Sequence, residues 1–117
     1  MADFSQQILR GTLDLLILKA VSREPAHGYE IARWVEHATG AVLQLEDGSL
    51  YPALYRLEER GFVTADWRLT ADRRRAKYYT ITAAGRRRLR DDTARWTQYA
   101  GAIFAALSMA APLPRNA

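Results

Sequence analysis

The sequence contains no cysteine, which excludes a disulfide framework and a thiolate metal site. His27 and His37 are its two histidines, and no third ligand accompanies them at a suitable spacing, so neither a metal centre nor a cofactor is expected. There is no glycine-rich phosphate loop and no serine or cysteine nucleophile constellation. Asp91 and Asp92 are adjacent, and neighbours on a helix point about 100° apart. They cannot share a substrate, and they read as solvent-facing counterweights to the arginines at 86–90. An enzyme is therefore not expected. The apolar run from Leu13 to Val21 is short and carries Asp14 and Lys19, far from the roughly 20 residues of a membrane span. The stretch from Met1 to Gln7 has no basic segment leading into an apolar core. No membrane association and a cytoplasmic location are the expectations. No internal repeat and no low-complexity segment is seen.

What is present is positive charge in one place. The 117 residues suit a single domain with a modest core, and the formal net charge is +4. Between Arg68 and Arg90 lie nine cationic side chains (Arg68, Arg73, Arg74, Arg75, Lys77, Arg86, Arg87, Arg88 and Arg90) against one carboxylate, Asp72. Such a bias attracts a polyanion, although an arginine run also suits a solvated face.

The pattern of apolar residues predicts the elements. Thr12 is placed to cap a helix running to about Arg23, with Ile8 and Leu9 ahead of it and Leu13, Leu16, Ile17, Ala20 and Val21 on one stripe; Pro25 ends it. A second helix runs from His27 and Gly28 to Gly40, with Ile31, Ala32 and Val35 inward and His27 placed to cap it or touch a phosphate. Residues 41–45 form a strand or an extended connector, and Glu46-Asp47-Gly48 is a turn. Ser49 is placed to cap a third helix, with Pro52 in its first turn and Gly61 closing it. Residues 62–69 and 77–82 alternate as β-strands around a polar, Arg-laden stretch at 70–76. Thr82 caps a long final helix from Ala83 to about Ala110, ended by Pro112 and Pro114. The expected fold class is mainly α with a small β-hairpin.

The third helix carries the sharpest functional signal. Leu50, Ala53, Leu54 and Leu57 point to one side, whereas Tyr51, Pro52, Tyr55 and Glu59 point to the other. Exposed tyrosines beside a helix N-terminus supply hydroxyl donors and flat contact with base edges, next to the positive end of the helix dipole. The alternative is that Tyr51 and Tyr55 pack against another subunit or loop. Trp34 and Trp67 read as core or core-edge residues. On the final helix, Leu89, Trp96, Tyr99, Ala100, Ile103, Phe104 and Leu107 recur at three- and four-residue steps. That stripe needs a partner, and a second copy of the chain is the simplest one, the alternative being a fold back onto its own domain.

This order of elements is that of a winged helix-turn-helix, in which the third helix enters the major groove and the hairpin touches flanking backbone. Gly11-Thr12-Leu13-Asp14-Leu15-Leu16-Ile17-Leu18, His27-Gly28-Tyr29-Glu30-Ile31-Ala32, the stretch from Gly48 to Glu58, and Arg74-Arg75-Ala76-Lys77-Tyr78-Tyr79-Thr80-Ile81-Thr82-Ala83-Ala84-Gly85 together resemble the PadR-like family of bacterial transcriptional regulators over about residues 9–90. The resemblance implies a homodimeric repressor whose single C-terminal helix pairs the subunits on a palindromic operator in double-stranded DNA. By matching position it assigns DNA contact to Tyr29, Ser49, Tyr51, Pro52 and Tyr55, and to the wing residues Arg74, Arg75 and Lys77; Arg73 joins them as part of the cationic tip. The wing arginines are expected to act as mobile phosphate contacts. Residues 1–82 then form the DNA-binding domain, 83–111 the dimerisation helix and 112–117 a flexible tail. Some relatives sense flat aromatic compounds at the dimer interface, which makes Trp96 and Tyr99 a candidate effector site; the plain alternative is Trp96 as packed interface. A rival reading is a basic interaction or architectural module that binds nucleic acid without sequence preference.

Overall fold

The computed structural model describes residues 12–110 and 113–114. The order is α1 (Leu13–Ala20), β1 (Ala26–His27), α2 (Gly28–Ala38), α3 (Asp47–Glu59), β2 (Val63–Leu69), β3 (Arg75–Ile81) and α4 (Ala83–Leu107). The expected Ile8, Leu9 and Gly11 contributions lie outside the described residues. So do Pro112 and the expected tail, apart from positions 113 and 114.

Helices α1, α2 and α3 close around one core built from Leu13, Ile17, Leu18, Val21, Ile31, Leu50, Leu54 and Leu57. The periodicity required this, because each helix is apolar along one stripe only. Helix α1 is shorter than expected. Both the amide and the hydroxyl of Ser22 donate to the Lys19 carbonyl, at 3.1 and 2.7 Å, and turn the chain before Pro25 is reached. Helix α2 begins with a reciprocal cap: the His27 ring accepts from the Glu30 amide while Glu30 Oε1 accepts from the His27 amide at 3.1 Å. It ends in a left-handed turn at Gly40, where the amides of Gly40 and Ala41 donate to the carbonyls of His37 and Glu36. The connector at 41–45 forms no strand, but Leu43 and Leu45 pack against the core.

The sheet holds one strand more than the expected hairpin. Its order is β1-β3-β2, all antiparallel, with Val63 opposite Ile81 and Leu69 opposite Arg75 in the hairpin, and Ala26 opposite Tyr79 at the added edge. Two residues are too few to show a period of two, so sequence pattern alone does not reveal β1.

Helix α4 starts where expected, with the Thr82 hydroxyl accepting from the Gly85 amide at 3.0 Å. The same hydroxyl donates to the Gly61 carbonyl at 2.7 Å, and the Thr82 amide donates to the Phe62 carbonyl at 3.1 Å. Gly85 is buried, and a β-carbon there would stand 2.1 Å from the Phe62 carbonyl oxygen. The root of α4 is thus packed onto the turn that ends α3. Leu89 is a correction to the expected interface stripe, since it lies against the core of its own domain. Beyond it α4 leaves the domain, and the molecule is elongated at 66 × 31 × 23 Å.

Candidate nucleic-acid interface

Helix α3 presents the two faces its spacing demands. Leu50, Ala53, Leu54 and Leu57 are buried, while Tyr51 and Tyr55 stand 48% and 64% exposed with Pro52 and Glu59 beside them. The tyrosines are therefore not core residues. The start of the helix corrects the sequence reading. The Glu46 carbonyl accepts from both Ser49 and Leu50, so Glu46 holds the N-cap position and Asp47 is the first helical residue. Ser49 is not the cap. It is a half-buried residue of the first turn, and Pro52 lies in the second turn rather than the first. The cost of Pro52 is one ladder bond to the carbonyl of Gly48, an exposed residue. Acidic Asp47 in the first turn suits the helix dipole. At the other end the amides of Gly61 and Phe62 donate to the carbonyls of Glu58 and Leu57 at 3.0 and 2.9 Å, with Gly61 at φ 76°.

Two further elements flank this face. At the start of α2, Gly28 brings the backbone under the Tyr51 ring, where a β-carbon would meet the Tyr51 hydroxyl oxygen at 2.7 Å. Glycine in a first helical turn is the sequence signal for such an approach, and the sequence reading gave Gly28 no such role. Tyr29 beside it is exposed, and Arg33 Nη1 donates to its hydroxyl at 3.1 Å. The Arg56 guanidinium meets Asp14 at 3.0 Å and ties α3 to α1.

The wing lies on the other side. Its tip is a bonded turn rather than a loose loop: the Thr70 amide donates to the Arg74 carbonyl at 2.8 Å, the Arg73 amide to the Thr70 carbonyl at 3.0 Å, and the Arg74 amide to the Thr70 hydroxyl at 3.1 Å. Thr70 in turn donates to Asp72, which holds that carboxyl below the usual carboxylate range. Arg73 sits in the left-handed region at φ 64°. Lys77 is half-buried and meets Glu58 of α3 at 3.3 Å, so part of its charge is neutralised within the domain. Trp67 is a second correction: it is 59% exposed, with the Arg75 guanidinium 5.2 Å over its ring. Trp34, 38% exposed, lies at the edge of the core, within the expectation. Between the wing, the first turn of α2 and Tyr51 of α3 runs an open groove of about 1000 Å³, with Tyr29, Tyr51, Trp67, Arg75 and Lys77 along its walls.

Three elements thus meet at one groove, with Tyr51 of α3 set beside the start of α2 and the cation-bearing wing. Residues 17–91 match the sequence pattern of the Transcriptional regulator PadR-like family. The chain belongs to that family. Members are transcriptional regulators, not enzymes. The chain is similar to a PadR family transcriptional regulator of known structure from Eggerthella lenta, 32% identical, with a TM-score of 0.73 over 89% of this chain and 88% of that one. A PadR-like transcriptional regulator from Bacillus cereus is 25% identical with a TM-score of 0.76, over 88% of this chain and 98% of that one. Among curated relatives, an uncharacterised protein of Lysinibacillus sphaericus is 31% identical over 78% of this chain and 84% of its own length. The negative transcriptional regulator PadR of Bacillus subtilis is 27% identical over 68% of this chain, and the match spans 43% of that protein.

Away from the groove, α4 carries Trp96, Tyr99, Ile103, Phe104 and Leu107, all exposed, with Ala100 half-buried among them. Trp96 and Tyr99 stack at 5.8 Å with their rings inclined by 24°. The cations near the root of α4 are partly compensated, although Asp92 is half-buried rather than solvent-facing: Asp92 accepts from Arg88 at 2.7 Å and from Arg95, and exposed Asp91 faces Arg90 at 3.8 Å. Burial works against the Asp92 charge, but the hydrogen bonds from Arg88 and Arg95 outweigh it and hold the carboxyl below its usual range. Among the described residues no helix is long and apolar enough to cross a membrane.

Proposed function

We propose that this PadR-like regulator is a homodimeric, sequence-specific DNA-binding repressor of the cytoplasm. The observation that carries the reading is the outer face of α3, where Tyr51 and Tyr55 are exposed in front of a fully buried stripe. In this reading α3 enters the major groove, with Tyr51, Pro52 and Tyr55 toward base edges and Ser49 at its N-terminal end. Tyr29 and the wing residues Arg73, Arg74, Arg75 and Lys77 lie along the flanking backbone. In this reading the residues before α4 are the DNA-binding unit, and α4 (Ala83–Leu107), which ends short of the expected Ala110, is the dimerisation helix. Repression is supported by the likeness to the negative regulator PadR of Bacillus subtilis. A two-fold dimer reads a palindromic operator.

The apolar face of α4 from Trp96 to Leu107, uncovered by any other of the described residues, supports pairing with a second copy. In the dimer, the stacked Trp96 and Tyr99 of each copy form the proposed site for a flat aromatic effector. Such a ligand must favour one helix crossing over another to change operator affinity.

The test is sequencing of genomic fragments retained by the purified protein, followed by salt-titrated competition of the enriched fragment against random DNA. The expected result is one enriched palindrome whose advantage survives added salt. Equal retention of all fragments, with an affinity governed by salt alone, would establish the nonspecific module instead.

A further inference from the structure

The five cationic side chains of the wing are not equivalent. Arg68 is paired with Asp66 at 2.8 Å, Arg74 faces Asp72 at 3.7 Å and Lys77 meets Glu58 at 3.3 Å. Among the described residues, Arg73 and Arg75 face no carboxylate. Arg73 occupies the turn, whereas Arg75 lies on Trp67. The register accounts for that contact. Trp67 stands opposite Lys77, so Arg75 is its diagonal neighbour on the same face of the sheet. This is the face that Glu58 of α3 reaches through Lys77, hence the side turned toward the recognition helix. Arg75 is four residues along β3 from buried Tyr79, about 13 Å at the usual rise per residue.

An indole left largely in water on a strand contributes little to its own fold. Under a guanidinium 5.2 Å from its centre it attracts the arginine and narrows the range of its side chain, so that less freedom is lost on binding. Phosphate contact needs no such brace, because a flexible cation follows a backbone equally well. A narrow slot with donors required at one depth does reward it. With α3 in a major groove, the slot next along the duplex is the minor groove, whose narrow A·T stretches carry enhanced negative potential.

We propose that Trp67 is a positioning residue that holds Arg75 for insertion into the minor groove flanking the α3 site, and so gives the protein a preference for A·T-rich flanks. The proposal rests on the DNA-binding reading and adds a specificity determinant to it. It also sets Arg75 apart from the other wing cations, which act by charge alone.

The experiment selects bound sequences from a pool of random-sequence duplexes with the wild-type protein. Affinities are then measured for the selected duplex carrying A·T, G·C or inosine·C flanks, using wild type, Trp67→Ala, Trp67→Phe, Arg75→Ala and the Trp67→Ala/Arg75→Ala double variant. Inosine·C keeps the major-groove pattern of G·C but lacks the minor-groove amino group. The expected wild-type preference for A·T or inosine·C flanks over G·C is about tenfold, the scale of one well-placed base-reading contact. Trp67→Ala and Arg75→Ala should each reduce it to about twofold, the double variant no further, and Trp67→Phe should retain most of it. Thermal midpoints should stay together, since Trp67 is exposed. An unchanged flank preference in Trp67→Ala, an equal loss on all three duplexes, or additive effects of the two alanines would overturn the proposal. If the wild-type protein enriches no sequence at all, the sequence-specific reading itself falls and the proposal with it.

Discussion

Tyr51 and Gly28 are separable parts of one contact, and the separation makes the reading of α3 testable. Replacing Tyr51 or Tyr55 with alanine removes an exposed ring and should weaken specific DNA binding by about 1 to 3 kcal/mol while leaving the thermal midpoint almost unchanged. Gly28 is not itself a proposed DNA contact, but it packs under one. Its new methyl group would meet the Tyr51 hydroxyl, so the ring must swing away. The expected result is a loss of specific affinity of about 1 kcal/mol with a stability equal to or slightly above wild type, because alanine is the better helix former. Melting curves and DNA titrations on the same samples check both. A Gly28→Ala protein that binds as tightly as wild type would mean that the placing of Tyr51 does not matter for recognition.

At the scale of elements, the apolar period placed the stripes of α1, α2 and α3 and the two hairpin strands, because burial is what that period records. It also placed the Thr82 cap, since a threonine hydroxyl before a polar, helix-prone run has a local use. The features that escaped it are set by partners distant in sequence or by competing local bonds. Glu46 displaces Ser49 as the cap because a carbonyl shared by two amides starts the helix earlier. The strand β1 exists only because β3 lies beside it. Leu89 belongs to the α4 stripe by spacing, yet it is covered by the domain core, and Trp67 has the composition of a core residue but the surroundings of a surface one. Charge was legible as a total and not as a pairing: Lys77 counts as a free cation in the sequence and is bound to Glu58 in the fold.

The junction of α3, β2 and α4 gives two predictions at this same scale. Gly85→Ala places a β-carbon on the Phe62 carbonyl, a backbone group that cannot swing aside. It should destabilise the protein by about 1 to 3 kcal/mol, measured by denaturant unfolding. Asp92 carries a pH signature. Its folded-state pKa is depressed, so its stabilising effect is present above the unfolded value of about 3.9 and is lost as the pH falls through the folded value. Asp92→Asn should therefore lower stability by on the order of 0.5 kcal/mol at neutral pH, and the two unfolding curves should converge only in acid below that unfolded value. A difference that persisted undiminished into strong acid would assign the effect to packing.

For the whole molecule, the free length of α4 decides how two recognition helices are carried. Light scattering on the full chain should give twice the chain mass, and Phe104→Asp, which puts a charge on the exposed stripe, should give a monomer with the same thermal unfolding of the DNA-binding unit. In the proposed dimer α4, rooted at Gly85 and uncovered beyond Leu89 by the other described residues, would work as a screw whose thread is the helix itself. One residue inserted between Asp91 and Trp96 advances the pairing face by about 1.5 Å but rotates it by about 100°. The two α3 helices would then address different sides of the duplex, although each unit still folds. Seven inserted residues return the face to within about 20° of its starting phase at about 10 Å greater length. Half-site spacing across related operators should thus change with α4 length in steps that restore the helical phase, such as about 7 or 11 residues, whereas a one- or two-residue insertion should abolish binding to the same operator.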